Sequence, residues 1–179
     1  MTCSFKRIFL VFLCSGLCGP AAALELFGVT LESATRDELR AAVTQAGLVL
    51  TSESGEDRWY DLYDSSGALE GSSRFYLGFV KRDQRFAFAE YEFPGLQRKQ
   101  LLRDLTLKYG APEIQGGRFI SDRRYRWRRE GIEIELSGDW QNYKTRLIYM
   151  MPANMADLIA ERSSREPQRE AEAEQVSLY

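Results

Sequence analysis

The chain has 179 residues, with 24 basic and 26 acidic side chains, 44% hydrophobic residues and no histidine. So even a balance excludes the basic footprint of a nucleic-acid binder. The missing imidazole excludes Ser-His-Asp and Cys-His nucleophiles and His-based zinc sites, leaving carboxylates, Lys, Tyr, Ser and Arg for any catalysis.

Residues 1–23 read as a cleavable signal peptide. Lys6 and Arg7 form a positive start, Ile8 to Cys18 is a short apolar run, Gly19-Pro20 breaks it, and Ala21-Ala22-Ala23 offers small residues before a cut at Leu24. The run is too short for a membrane span, which needs about 20 residues. No later stretch approaches one, so stable membrane insertion is not expected. Cys14 and Cys18 follow Leu13 and Leu17, not the small residue a lipidation site needs. All three cysteines (Cys3, Cys14, Cys18) leave with the signal, which removes thiol chemistry from the mature chain. Asn142 and Asn154 both lack the glycosylation pattern, so the expected destination is a bacterial periplasm or the medium. Between residues 24 and 152 the charges balance at 19 basic and 20 acidic.

The first helix is announced by Thr35-Arg36-Asp37-Glu38, a capping box, followed by Leu39, Ala42, Val43 and Ala46 at helical spacing and Gly47 as a stop. Strands are expected over Leu48–Glu53, Asp57–Tyr63, Arg74–Val80 and Arg85–Phe93, closed by Pro94-Gly95. A second helix is expected from Leu96 to Tyr109, with Leu101, Leu102, Leu105 and Tyr109 as its apolar stripe and Gly110 and Pro112 as its stop. Further strands follow at Glu113–Gln115, Asp122–Arg129, Ile132–Ser137 and Tyr143–Met151. Beyond Ala153 the pattern predicts a short helix over Asn154–Arg162 and then a charged, disordered or loosely helical tail to residue 179. The fold class is therefore α+β, helices layered on an antiparallel sheet. Residues 28–94 and 95–152 each read as a helix plus a four-strand meander. An internal duplication, or two similar units arising separately, gives the same pattern.

Two hairpins carry most of the information. Glu130-Gly131 as a two-residue turn sets Arg128 against Glu133, Arg126 against Glu135, Trp127 against Ile134 and Tyr125 against Leu136. The arginine run thus reads as a self-neutralised face over a core face. In the other hairpin, a turn at Arg82-Asp83 sets Val80 against Arg85. That gathers Phe75, Leu77, Phe79, Phe86 and Phe88 on one face and Tyr76, Gly78, Val80, Ala87, Ala89 and Tyr91 on the other. A sheet wet on one side alternates, whereas this hairpin is apolar on both. Helices on one face and another part of the protein, or a subunit, on the second would explain it. So would an aromatic face that receives a protein or peptide. Tyr76, Tyr91 and Val80 are the candidate binding residues there.

The loop Ser137–Asn142 offers Trp140 beside Asp139, a mixture suited to a sugar or to a Trp folded back on the sheet. Glu90/Glu92 and Glu133/Glu135 each sit two apart on a strand, about 6–7 Å between side chains, a separation a glycosidase can use. The latter pair already has arginines opposite. No Ser-x-x-Lys, phosphate-cradling loop or calcium loop is present, and no metal or other cofactor is expected.

The run from Leu102 to Pro112, a helix ending in Tyr109-Gly110-Ala111-Pro112 ahead of β-hairpins, is similar to small bacterial envelope modules such as the outer-membrane-assembly small lipoproteins. Repeated twice, the layout of residues 28–152 also resembles β-lactamase-inhibitor-protein-like domains. The resemblance implies a non-enzymatic binder, and the expected partner is an envelope protein or peptide. A structural homodimer that buries the Tyr76/Tyr91 face is a further reading of the hairpin. A carboxylate-based glycan-binding or glycan-acting protein around Trp140 and the Glu pairs is the alternative.

Overall fold

The computed structural model describes residues 23–55, 58–68, 70–95, 97–116, 123–139 and 141–176, with side chains through Ser164. Asp57, Leu96, Asp122, Trp140 and residues 1–22 of the expected signal lie outside the described residues.

The chain is a sheet-dominated α+β fold. A small hairpin of β1 (Glu25–Leu26) and β2 (Val29–Thr30) precedes α1 (Arg36–Gln45). The meander β3 (Val49–Ser52), β4 (Tyr60–Asp64), β5 (Arg74–Phe79) and β6 (Phe86–Pro94) follows. Helix α2 (Arg98–Tyr109) opens a second meander, β7 (Glu113–Gln115), β8 (Arg124–Arg129), β9 (Ile132–Asp139) and β10 (Lys144–Met150), and α3 (Pro152–Val176) ends the chain. All eight meander strands join one antiparallel sheet in the order β3-β4-β5-β6-β10-β9-β8-β7. The last strand of each meander thus forms the central seam, from Lys144 against Pro94 to Met150 against Phe88.

Local chemistry explains the helix ends. The Glu38 carboxylate accepts the Thr35 N–H at 3.0 Å, and the Thr35 hydroxyl accepts the Glu38 N–H, so the capping box is closed. Gly110 ends α2 at φ +82°, a region a Cβ resists. Its carbonyl accepts the Trp127 indole N–H at 2.8 Å, tying the helix stop to the sheet. Leu39 and Val43 of α1, and Leu105 and Tyr109 of α2, share one core with Phe75, Leu77, Tyr91, Trp127, Ile134 and Leu136.

The other face has its own apolar cluster. Val80, Ala87 and Phe88 pack with Leu158 of α3, flanked by Met155, Met150, Trp59, Tyr60 and Tyr76. Polar contacts fix the helix there. The Glu161 carboxylate accepts the backbone N–H groups of Lys81 (2.8 Å) and Arg82 (3.1 Å), and the Asn154 amide donates to the Phe86 carbonyl at 2.7 Å. Arg85 donates to the side chains of Asn154 and Asp157. The charged tail, expected to be disordered or loosely helical, continues α3, whose backbone is helical through Val176. Its Glu, Arg, Gln and Ala residues are strong helix formers, although they show no apolar periodicity. Leu158→Ala should cost about 2–4 kcal/mol, the usual range for emptying a buried Leu site. A lower thermal midpoint together with earlier proteolytic release of α3 would show it.

Candidate functional site

The hairpin β5–β6 places its residues differently from the predicted pattern. The Val80 N–H donates to the Arg85 carbonyl as expected, and Phe79 lies opposite Phe86. The next pair is Gly78 with Phe88, so Ala87 is an extra residue and every later pair slips by one. Phe75 therefore faces Tyr91, and Tyr76 faces Glu90.

The expected Tyr76/Tyr91 face does not exist. Tyr91 is 5% exposed in the main core, with its ring 4.7 Å from Phe75, and burial pushes its phenol well above the ordinary range. Val80 is fully buried beneath α3 and presents no surface for binding. The same slip puts Tyr76 and Tyr91 on opposite faces of the sheet. What covers the second apolar face is the chain's own α3.

Tyr76 is half-buried on the second face. Its row crosses the sheet as Leu62, Tyr76, Glu90, Ile148, Glu135, Arg126 and Glu113, each the Cα partner of the next. The neighbouring row sets Asp64 against Arg74, Glu92, Arg146 and Ser137. Tyr76 donates to Glu92 at 3.4 Å, and Lys144 pairs with the same carboxylate at 2.9 Å. Arg146 lies 3.4 Å from Glu90 and 3.9 Å from Asp139. Asp139, a candidate from the sequence, is thus linked to the Tyr76 region through Arg146. Its own carboxylate accepts the Asn142 side-chain N–H at 2.8 Å and the Asn142 backbone N–H at 3.1 Å, which hold its pKa below the usual value.

Toward α3 the face becomes aromatic. Trp59 and Tyr60 meet at 5.6 Å, Tyr60 and Tyr76 at 5.3 Å, both nearly edge to face. The guanidinium of Arg58 sits 5.7 Å from the Tyr60 ring centre, and that of Arg162 sits 5.5 Å from Trp59. Toward β8 the face is charged and internally neutralised, in the register the sequence predicts. Arg126 reaches Glu133 at 2.9 Å and Glu135 at 3.0 Å, and Arg128 lies 3.4 Å from Glu133. Sequence reading missed Glu113, which takes Arg128 at 2.8 Å from the edge strand β7.

The two central carboxylates differ. Glu92 is 4% exposed and ion-paired to Lys144. Burial pushes the Glu90 carboxyl above its usual pKa, against the pull of Arg146. A carboxyl with a raised native pKa favours folding when protonated, so its ionisation costs stability as pH rises from the unfolded value through the folded one. Glu90→Gln should raise the thermal midpoint at pH 7 relative to wild type, and the difference should vanish near pH 3. A denaturation series across that interval checks the sign.

Among the described residues no three acidic side chains converge as ligands for a metal ion, and no helix is long and apolar enough to cross a membrane. No family model matches the chain, and no curated protein matches it either. Among solved structures it is similar to a DUF4309 family protein (YjgB) from Bacillus subtilis. The identity is 16% over 69% of this chain and 82% of that one, with a TM-score of 0.46.

Proposed function

We propose that this is an exported, non-enzymatic binding module of the bacterial envelope, and that it engages a protein or peptide through the second sheet face around Tyr60 and Tyr76. The observation that carries this reading is the composition of that region. Half-buried Trp and Tyr rings sit beside the guanidinium groups of Arg58 and Arg162, the residue types enriched where protein surfaces bind tightly. We read the sheet order as two helix-plus-meander units joined at β6 and β10, each with its helix layered on the sheet. The signal pattern of residues 1–23 supports export to the periplasm or beyond.

One observation favours a second reading. Glu90 holds its proton more tightly than usual while its neighbour Glu92 is paired with a lysine. A carboxyl with a raised pKa two positions from a second, ion-paired one suits acid–base work on a glycan.

Crosslinking capture with the mature chain in envelope extract, beside a Tyr60→Ser/Tyr76→Ser variant, tests the first reading. One discrete protein captured by wild type and lost by the folded variant is the expected result. Capture of another copy alone would replace that reading with a homodimer. Capture of nothing, with hydrolysis of a glycan panel lost in Glu90→Gln, would replace it with the second reading.

A further inference from the structure

The turn between β8 and β9 is made by Glu130 (φ +48°) and Gly131 (φ +77°). Two left-handed residues in a hairpin turn are met with least strain by Asn-Gly or Asp-Gly. A glutamate in the first place carries a steric cost that the turn does not require. Its side chain has another occupation. The Glu130 carboxylate accepts the backbone N–H of Leu24 at 3.2 Å, across 106 positions of chain.

Leu24 is held on its other side as well. Its side chain is 8% exposed in the main core, and its carbonyl accepts the Leu31 N–H at 2.9 Å. The β1–β2 hairpin that follows is anchored by Phe27, whose ring packs edge-on against Phe75 at 5.7 Å. Ala23, one residue earlier, is exposed. The nitrogen held by Glu130 is therefore the one at which the signal pattern places the cut.

We propose that Glu130 is the receptor for the α-ammonium group that signal removal creates at Leu24, so that processing fastens the N-terminal hairpin to the second meander. The proposal rests on the export reading given above. A signal peptidase would hydrolyse the Ala23–Leu24 amide with one water. The C–N bond breaks, the water oxygen joins the Ala23 carbonyl to give a carboxylate, and both water protons end on the Leu24 nitrogen. A neutral donor with one N–H thereby becomes a cation with three, facing a carboxylate already in place, and charge-assisted hydrogen bonds are the stronger kind. The charged groups next to the pair along the chain are Glu25 on β1 and Arg129 on β8. The Arg129 guanidinium is committed to the Tyr109 and Arg128 carbonyls.

The test compares chain 24–179 with chain 22–179, each with and without Glu130→Gln, by urea unfolding at pH 6.5 and 9.5. An α-ammonium titrates near 7.7 when free, and a carboxylate partner raises that value. The shorter chain's advantage is then complete below the free value and lost as pH rises through the raised one. At pH 6.5 the shorter chain should have an unfolding constant roughly three- to fivefold smaller, the scale of a partly exposed ion pair. The gap should close at pH 9.5 and in the Gln variant. Equal stability at pH 6.5, or a gap that survives Glu130→Gln, overturns the proposal and leaves the export reading untouched. Sequencing the N-terminus of the exported protein tests that reading separately. A start other than Leu24 removes the cut site and the proposal with it.

Discussion

Replacing Gly78 with alanine is expected to destabilise the protein by about 2–3 kcal/mol, the upper part of the range for forcing an extra methyl into a packed interior. A Cβ at Gly78 would lie 1.9 Å from Phe88 Cε1 and 2.4 Å from Cδ1. Gly78 and Phe88 are direct cross-strand partners, and the ring occupies the space a Cβ at Gly78 would need. The ring has little freedom to retreat, because it is 5% exposed and packed against Val80, Leu158 and Trp59. Phe88→Ala alone should cost about 3–5 kcal/mol by emptying that site. The double variant should cost less than the sum by roughly 1–2 kcal/mol, since the methyl and the ring compete for one volume. Urea unfolding of the four proteins measures the coupling, and strict additivity would show that the two residues do not share that space.

Asp61→Asn should lower stability by about 2–3 kcal/mol. This is below the usual 3–5 for breaking a buried ion pair, because the arginines keep some contact with water. Asp61 has no exposed surface, and it stands where α1 meets the first meander. Its carboxylate takes Arg40 through Nε at 2.7 Å and Nη2 at 2.9 Å, Arg36 at 3.3 Å, and the Ser54 N–H at 2.7 Å. Burial pushes its pKa up, but the hydrogen bonds from Arg40 and Ser54 outweigh burial and leave it below the ordinary value. A group whose native pKa is depressed contributes fully above its unfolded value, near 3.8, and loses that contribution as pH falls through the native one. Wild type and variant should therefore differ by a constant amount at neutral pH and converge only in strong acid. A difference that shrinks between pH 7 and 5 would mean that the carboxylate is not what holds the two arginines.

Local chemistry was legible in the sequence. The capping box at Thr35, the stop at Gly110 and the Arg–Glu register across Glu130-Gly131 all rest on residues a few positions apart, where spacing dictates contact. The site itself was legible only in part. Ala87 leaves no mark as an extra residue, because alanine fits either face of a strand, yet its insertion moves Tyr91 to the opposite side from Tyr76. The pairs Glu90–Arg146 and Glu92–Lys144 require β6 beside β10, an adjacency that no local pattern encodes. Asp61 reads as an ordinary strand acid until α1 is seen to bring Arg36 and Arg40 over it from one helical face. The reach of α3 was hidden for a different reason. Periodicity reports burial, and the distal turns of that helix have no apolar stripe to display.

The seam between β6 and β10 makes partner choice a matter of tethering. Severed after Gly95, the first fragment would expose β6 as an edge with apolar side chains on both faces, the kind of strand that pairs with whatever strand it meets. In the intact chain β10 is tied to β6 by its own backbone and reaches it at an effective concentration that a second molecule cannot match in dilute solution. Helix α3 adds to this, because it leaves β10 and docks on β6, crossing the seam a second time. The covalent link thus does more than connect two similar layouts. It keeps each from completing its sheet with a stranger.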